Sequence, residues 1–185
     1  MLDINLPNKI TLLRIFMVPL VLVFLISPSF WSCLVAAILF GAAAATDWLD
    51  GHLARVTNQV TLLGKLLDPV ADKLLIISAL VPLVELGRVS AWIVVVIVGR
   101  EFAVSGLRTI ASAQGIHIAA GACGKYKMGA EIGAILLLIL DFNPVFHYLG
   151  QMGIWLAMIL AIVSAVDYFS QFWNRLDLAK AGEAA

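Results

Sequence analysis

Four aspartates stand at spacings that suit metal chemistry. Asp47 and Asp50 are three residues apart, and Asp68 and Asp72 are four apart, so on helices each pair shares a face. Grouped at the end of an apolar segment, four carboxylates repel one another unless cations neutralise them. An all-oxygen set without cysteine or paired histidine suits Mg²⁺ or Mn²⁺ better than Zn²⁺. Two such ions about 4 Å apart would stabilise both the attacking and the leaving oxygens of a phosphoryl transfer. The neighbours fit this chemistry. Gly51 and Ala54 clear bulk beside Asp50, Gly64 lies one turn before Asp68, and Arg55 offers a planar cationic fork to a phosphate. The competing reading, that the acids only flank helix ends and pair with Arg55, Lys65 and Lys73, accounts for one aspartate more easily than for four so spaced.

The elements that must position these acids are apolar. Of 185 residues, 62% are hydrophobic and 13% charged, and the mean hydropathy is +1.01, which excludes an ordinary water-soluble globule. Twelve basic residues balance 12 acidic ones, so a basic nucleic-acid binder is also excluded. The pattern predicts an all-α, polytopic integral membrane protein of one domain over residues 1–185. Its six transmembrane helices are expected at about 10–27, 31–50, 66–86, 90–113, 126–141 and 146–170, after an interfacial segment at 1–9. Pro69 cannot lie deep in a regular helix without a kink, so the third helix is expected to begin near Lys65 or Leu66. Ser27-Pro28-Ser29, Glu85-Leu86-Gly87-Arg88 and Asp141-Phe142-Asn143-Pro144 read as turns.

The cations orient this layout. Arg88 is alone in the three outer connections and Arg100 falls mid-span, whereas the other ten of the 12 basic residues lie at or near inner ends. Both termini are therefore expected in the cytoplasm. Cys33 and Cys123 then lie near opposite faces, too far apart to pair. Acidic clusters in six-span proteins also occur in cation-coupled transporters, but the midplane placement and internal repeat expected of those are not visible.

Read as D-x-x-D-G-x-x-A-R, eight residues, then G-x-x-x-D-x-x-x-D, the stretch from Asp47 to Asp72 resembles the signature of the CDP-alcohol phosphotransferases. The six-span layout resembles that family too. The resemblance implies that Asp47, Asp50, Asp68 and Asp72 hold metal, two Mg²⁺ or Mn²⁺ ions, and that Asp72 is also the catalytic base. It implies that Gly51, Ala54 and Arg55 line the cytidine diphosphate pocket, with Thr61 and the Asn8/Thr11/Arg14 group touching nucleotide or diphosphate. Local features such as Thr46-Asp47-Trp48-Leu49-Asp50-Gly51, Leu67-Asp68-Pro69-Val70-Ala71-Asp72-Lys73, Arg100-Glu101 and the opening Leu6-Pro7-Asn8-x-x-Thr11-x-x-Arg14 are similar to members that join CDP-diacylglycerol to sn-glycerol 3-phosphate and release CMP. Inositol phosphate, serine or a lipid alcohol are the acceptors of other members. The resemblance further implies a homodimer, in a bacterial cytoplasmic (inner) membrane, with a cytoplasm-facing site.

A phosphorylated acceptor needs its own cations. Arg100 and Arg108 are eight apart, close to two helical turns, and Lys125 and Lys127 open the fifth helix. These four form the expected glycerol phosphate pocket. A mid-span arginine must be paired or face a polar cavity, so Glu101 or Glu131 is expected beside Arg100. Glu131 and Asp167 are expected as structural partners of buried cations, while His52 neighbours the site and His117 and His147 stand alone. Gly129-x-x-x-Gly133 permits close helix contact.

Overall fold

The computed structural model describes residues 6–56, 62–113 and 122–183; the side chains of 6–7, 47–56, 62–63, 65–66, 122–125 and 177–183 lie outside that description. Six helices follow in chain order: α1 (Leu6–Ile26), α2 (Phe30–Val56), α3 (Leu62–Glu85), α4 (Ala91–Ala113), α5 (Ala122–Ile139) and α6 (Pro144–Glu183). Among the described residues there is no strand.

The short turns carry their own stop and start chemistry. Ser29 Oγ accepts the Ser32 N–H at 3.1 Å at the head of α2, and Asn143 Oδ1 accepts the Val145 N–H at 3.0 Å at the head of α6, where Pro144 fills the first helical position. α3 ends in a Schellman motif. The Arg88 N–H bonds the Leu83 carbonyl at 2.8 Å and the Gly87 N–H bonds that of Val84 at 2.9 Å, with Gly87 at φ +68°.

These turns gather at one end of the bundle. Phe30 lies against Phe142 with ring centroids 4.6 Å apart, and Arg88 donates to the carbonyls of Leu138 and Ile139 at 3.0 and 3.1 Å. Arg88 also pairs with Asp141 at 3.5 Å, which in turn holds His147 Nδ1 at 3.1 Å. His147 therefore does not stand alone, because the α5–α6 turn folds Asp141 back onto the first turns of α6. The four signature aspartates, on the C-terminal part of α2 and the N-terminal half of α3, belong to the other end.

The apolar core gathers Leu25, Phe40, Leu80, Ile93, Ile135 and Ile154 from all six helices. α6 packs closely on α5, and two glycines permit it. A Cβ at Gly150 would stand 2.7 Å from Leu138 Cγ, and one at Gly153 would stand 2.9 Å from Ala134 Cβ. Gly129 and Gly133 make no such contact among the described residues, where nothing lies within 4 Å of a Cβ built at either. Large apolar residues cover the outside, including Phe16, Trp31, Val95, Met152 and Val166. Among the described residues two helices are long and apolar enough to cross a membrane, over Asn8–Ile26 and Pro144–Leu176. α3, α4 and α5 each interrupt an apolar length with ionisable residues, among them Asp68, Asp72, Arg100, Glu101, Arg108, Lys127 and Glu131.

Several boundaries differ from expectation. Leu6 to Lys9 form the first turn of α1, with Asn8 buried, and residues 1–5 of the expected interfacial segment lie outside the described residues. α3 starts at Leu62 rather than at Lys65 or Leu66, so Pro69 is its eighth residue, past the N–H groups that a helix start leaves free, and the helix runs through it at the loss of the bond to the Lys65 carbonyl. α6 continues past residue 170 to Glu183, because Gln171–Ala181 has neither proline nor glycine and is rich in helix formers.

Candidate active site

α1 and α3 meet face to face at the acidic end. Asp68 and Asp72, one turn apart on α3, receive two side chains from α1: Thr11 Oγ1 donates to Asp68 Oδ1 at 2.6 Å, and Arg14 Nη1 donates to Asp72 Oδ1 at 2.6 Å. Asn8, Thr11 and Arg14 are all buried, Arg14 completely, while Asp72 keeps 36% of its side-chain surface. The cause is legible in α1 itself. Asn8, Thr11 and Arg14, at intervals of three, form one buried stripe on a helix whose other polar residue, Lys9, is exposed, and that stripe needs a polar neighbour.

α2 is helical through Val56, so Asp47, Asp50, Gly51 and Ala54 share a face by their spacing, with Arg55 beside it. Their side chains, like those of Lys125, lie outside the description, and Thr61 lies outside the described residues altogether. Among the described residues no cluster of three or more metal-ligating side chains forms. Asp68 and Asp72 are oxygen donors on one face of α3, which packs against α2, and this chemistry fits Mg²⁺ or Mn²⁺.

A second polar group lies among α4, α5 and α6. Arg100 Nη1 pairs with Glu101 at 2.7 Å, its Nε donates to the Ala161 carbonyl at 3.1 Å, and its Nη2 donates to Ser164. Lys127 bridges Glu101 and Glu131, the latter at 2.8 Å. The expected partnership of Arg100 with Glu101 is therefore present. Two acids and two bases alternate in this chain, as a buried group of charges requires. Arg108 behaves differently. It is exposed, and its guanidinium lies over the Tyr168 ring of α6 at 5.8 Å.

Asp167 is not the partner of a buried cation: it is exposed and accepts from Gln171 Nε2 at 3.0 Å. The helical rotation of α6 turns Ser164 and Tyr168 inward instead. Neither was singled out by the sequence, although Ser164 is a hydroxyl within an apolar span and so carries a weak signal.

Fold and site together define a helical bundle with paired carboxylates and cations between its helices on the side of the acid pair, and a smaller Arg88–Asp141–His147 group at the opposite end. The sequence matches the family model described as CDP-alcohol phosphatidyltransferase over residues 4–163. The chain belongs to that family. Its relatives include the CDP-diacylglycerol–glycerol-3-phosphate 3-phosphatidyltransferase of Bacillus subtilis (strain 168), 42% identical over 93% of this chain and 97% of the relative. Proteins of the same name from Pseudomonas fluorescens (38% identical, 93% of this chain and 92% of the relative) and Rickettsia bellii (33%, 91% and 95%) are also similar.

Proposed function

We infer that the protein transfers the phosphatidyl group of CDP-diacylglycerol to sn-glycerol 3-phosphate, giving phosphatidylglycerophosphate and CMP in phospholipid biosynthesis. The observation that carries this is the full-length similarity to relatives bearing that activity in their names, joined to the acid pair on α3.

Asp47, Asp50, Asp68 and Asp72 would hold two Mg²⁺ or Mn²⁺ ions, whose charge supports cleavage of the diphosphate. Asp72 accepts the proton of the acceptor hydroxyl as its oxygen bonds to the lipid-bearing phosphorus. The bond from that phosphorus to CMP breaks, and CMP leaves in line with the attack. Arg55, with Gly51 and Ala54, receives the nucleotide diphosphate, and Thr61 and Asn8 adjoin it. Arg108 and Lys125 meet the acceptor phosphate, with Lys127 and Arg100 behind them.

The apolar outer surface supports insertion of all six helices in a bacterial cytoplasmic membrane, with both termini and the active site on the cytoplasmic side. A homodimer is part of this reading. An acceptor panel with purified protein and CDP-diacylglycerol tests the activity. CMP release is expected with sn-glycerol 3-phosphate and not with serine or glycerol; release driven equally by inositol phosphate or by serine would overturn the acceptor assignment.

A further inference from the structure

The contact between α1 and α3 has a register that matches side-chain length to distance. Both helices run in the same direction, and Thr11 meets Asp68 while Arg14 meets Asp72. Three residues on α1 rise about 4.5 Å and four on α3 about 6 Å, so the second contact must reach further along the axis than the first. The shorter side chain serves the near carboxylate and the longer one the far carboxylate. Thr11 is 1% exposed and Arg14 0%, so their donors are fixed by packing before any substrate arrives.

We propose that Thr11 and Arg14 are positioning residues that fix the orientation of the Asp68 and Asp72 carboxylates. This assigns them a task different from the contact with nucleotide or diphosphate that the family resemblance implies. An aspartate on a helix surface has two soft side-chain torsions. A charge-assisted hydrogen bond to one carboxylate oxygen, from a donor that cannot move, removes that freedom. Groups that orient metal-holding carboxylates in this way are typically worth about 10–100-fold in metal affinity or activity. The proposal rests on the reading of Asp68 and Asp72 as metal-holding residues.

The experiment titrates Mn²⁺ into detergent-purified native protein and the variants Thr11→Val, Thr11→Ser and Arg14→Lys, without substrates, by the loss of free-ion electron paramagnetic resonance signal. kcat and the apparent KM for CDP-diacylglycerol in mixed micelles are measured on the same samples. Thr11→Val, which keeps the shape and loses the donor, should bind Mn²⁺ about 10-fold or more weakly, and Thr11→Ser should restore native affinity. Arg14→Lys, which keeps the charge and loses the reach, should lower kcat with the KM for CDP-diacylglycerol unchanged. Leu13→Ala, on the exposed side of α1, should match the native protein and controls for general loosening of the helix.

Native Mn²⁺ affinity in Thr11→Val overturns the proposal while leaving the metal reading intact. A raised KM for CDP-diacylglycerol with Mn²⁺ affinity intact also overturns it, and returns these residues to donor contact. Failure of the native protein to bind Mn²⁺ while it releases CMP overturns the metal reading and the proposal together.

Discussion

At the residue scale, the proposed base role of Asp72 comes from the family resemblance, and the surface its side chain retains leaves the carboxylate within reach of a substrate. Asp72→Asn keeps the shape and removes the ability to take a proton. Positioned general bases contribute about 10²–10⁴-fold, so kcat should fall by at least about 100-fold while the variant elutes and melts like the native protein. Substantial residual turnover would move the base elsewhere. Arg108, proposed to meet the acceptor phosphate, is exposed and rests on Tyr168, outside the Arg100–Glu101–Lys127–Glu131 network. Arg108→Ala should raise the apparent KM for sn-glycerol 3-phosphate about 10-fold or more, the loss of one charged hydrogen bond, with the KM for CDP-diacylglycerol unchanged. The acids were legible in the sequence because charges are scarce in so apolar a chain. The cross-helix pairs Thr11–Asp68 and Arg14–Asp72 were not, since spacing identifies a shared face on one helix and says nothing about which helix stands opposite.

At the element scale, the helices were legible from apolar length, and their ends were not. Apolar length marks what a bilayer would cover, whereas a helix continues into polar sequence until a breaker or cap stops it. α2 and α6 accordingly run on past the expected ends to Val56 and Glu183, and α1 begins before the apolar run. Where a cap exists, the boundary is sharp, as at Gly87. Its φ of +68° is a conformation that a side chain disfavours, and among the described residues beyond its chain neighbours nothing lies within 4 Å of a Cβ built there, so substitution tests backbone conformation. Gly87→Ala should cost about 1 kcal/mol and lower Tm in detergent by roughly 2–4 °C, with CMP release unaffected because the turn lies at the end opposite the acids. Gly87→Asn should recover part of that loss, as asparagine tolerates the left-handed region better than alanine. A fall in activity without a fall in Tm would contradict the placement of this turn away from the site.

At the scale of the whole molecule, the proposed acceptor cations divide between a buried network and the exposed Arg108. Arg100 and Lys127 are sequestered with Glu101 and Glu131 between α4, α5 and α6, and only a test that separates folding from chemistry can say what Lys127 contributes beyond that. Lys127 and Glu131 expose 6% and 3% of their side chains, so removing one partner strands a charge in a low-dielectric interior. Lys127→Met should therefore destabilise the bundle by about 3–5 kcal/mol, read as a large fall in Tm. The double variant Lys127→Met/Glu131→Leu removes one charge of each sign, leaves the Arg100–Glu101 pair balanced, and should regain most of the lost stability. Activity then divides the two roles. If Lys127 also supports the acceptor phosphate, the refolded double variant will keep its KM for CDP-diacylglycerol and show a raised KM for sn-glycerol 3-phosphate. If both constants return to native values with the fold, the network is scaffolding, and the acceptor pocket narrows to Arg108 and Lys125.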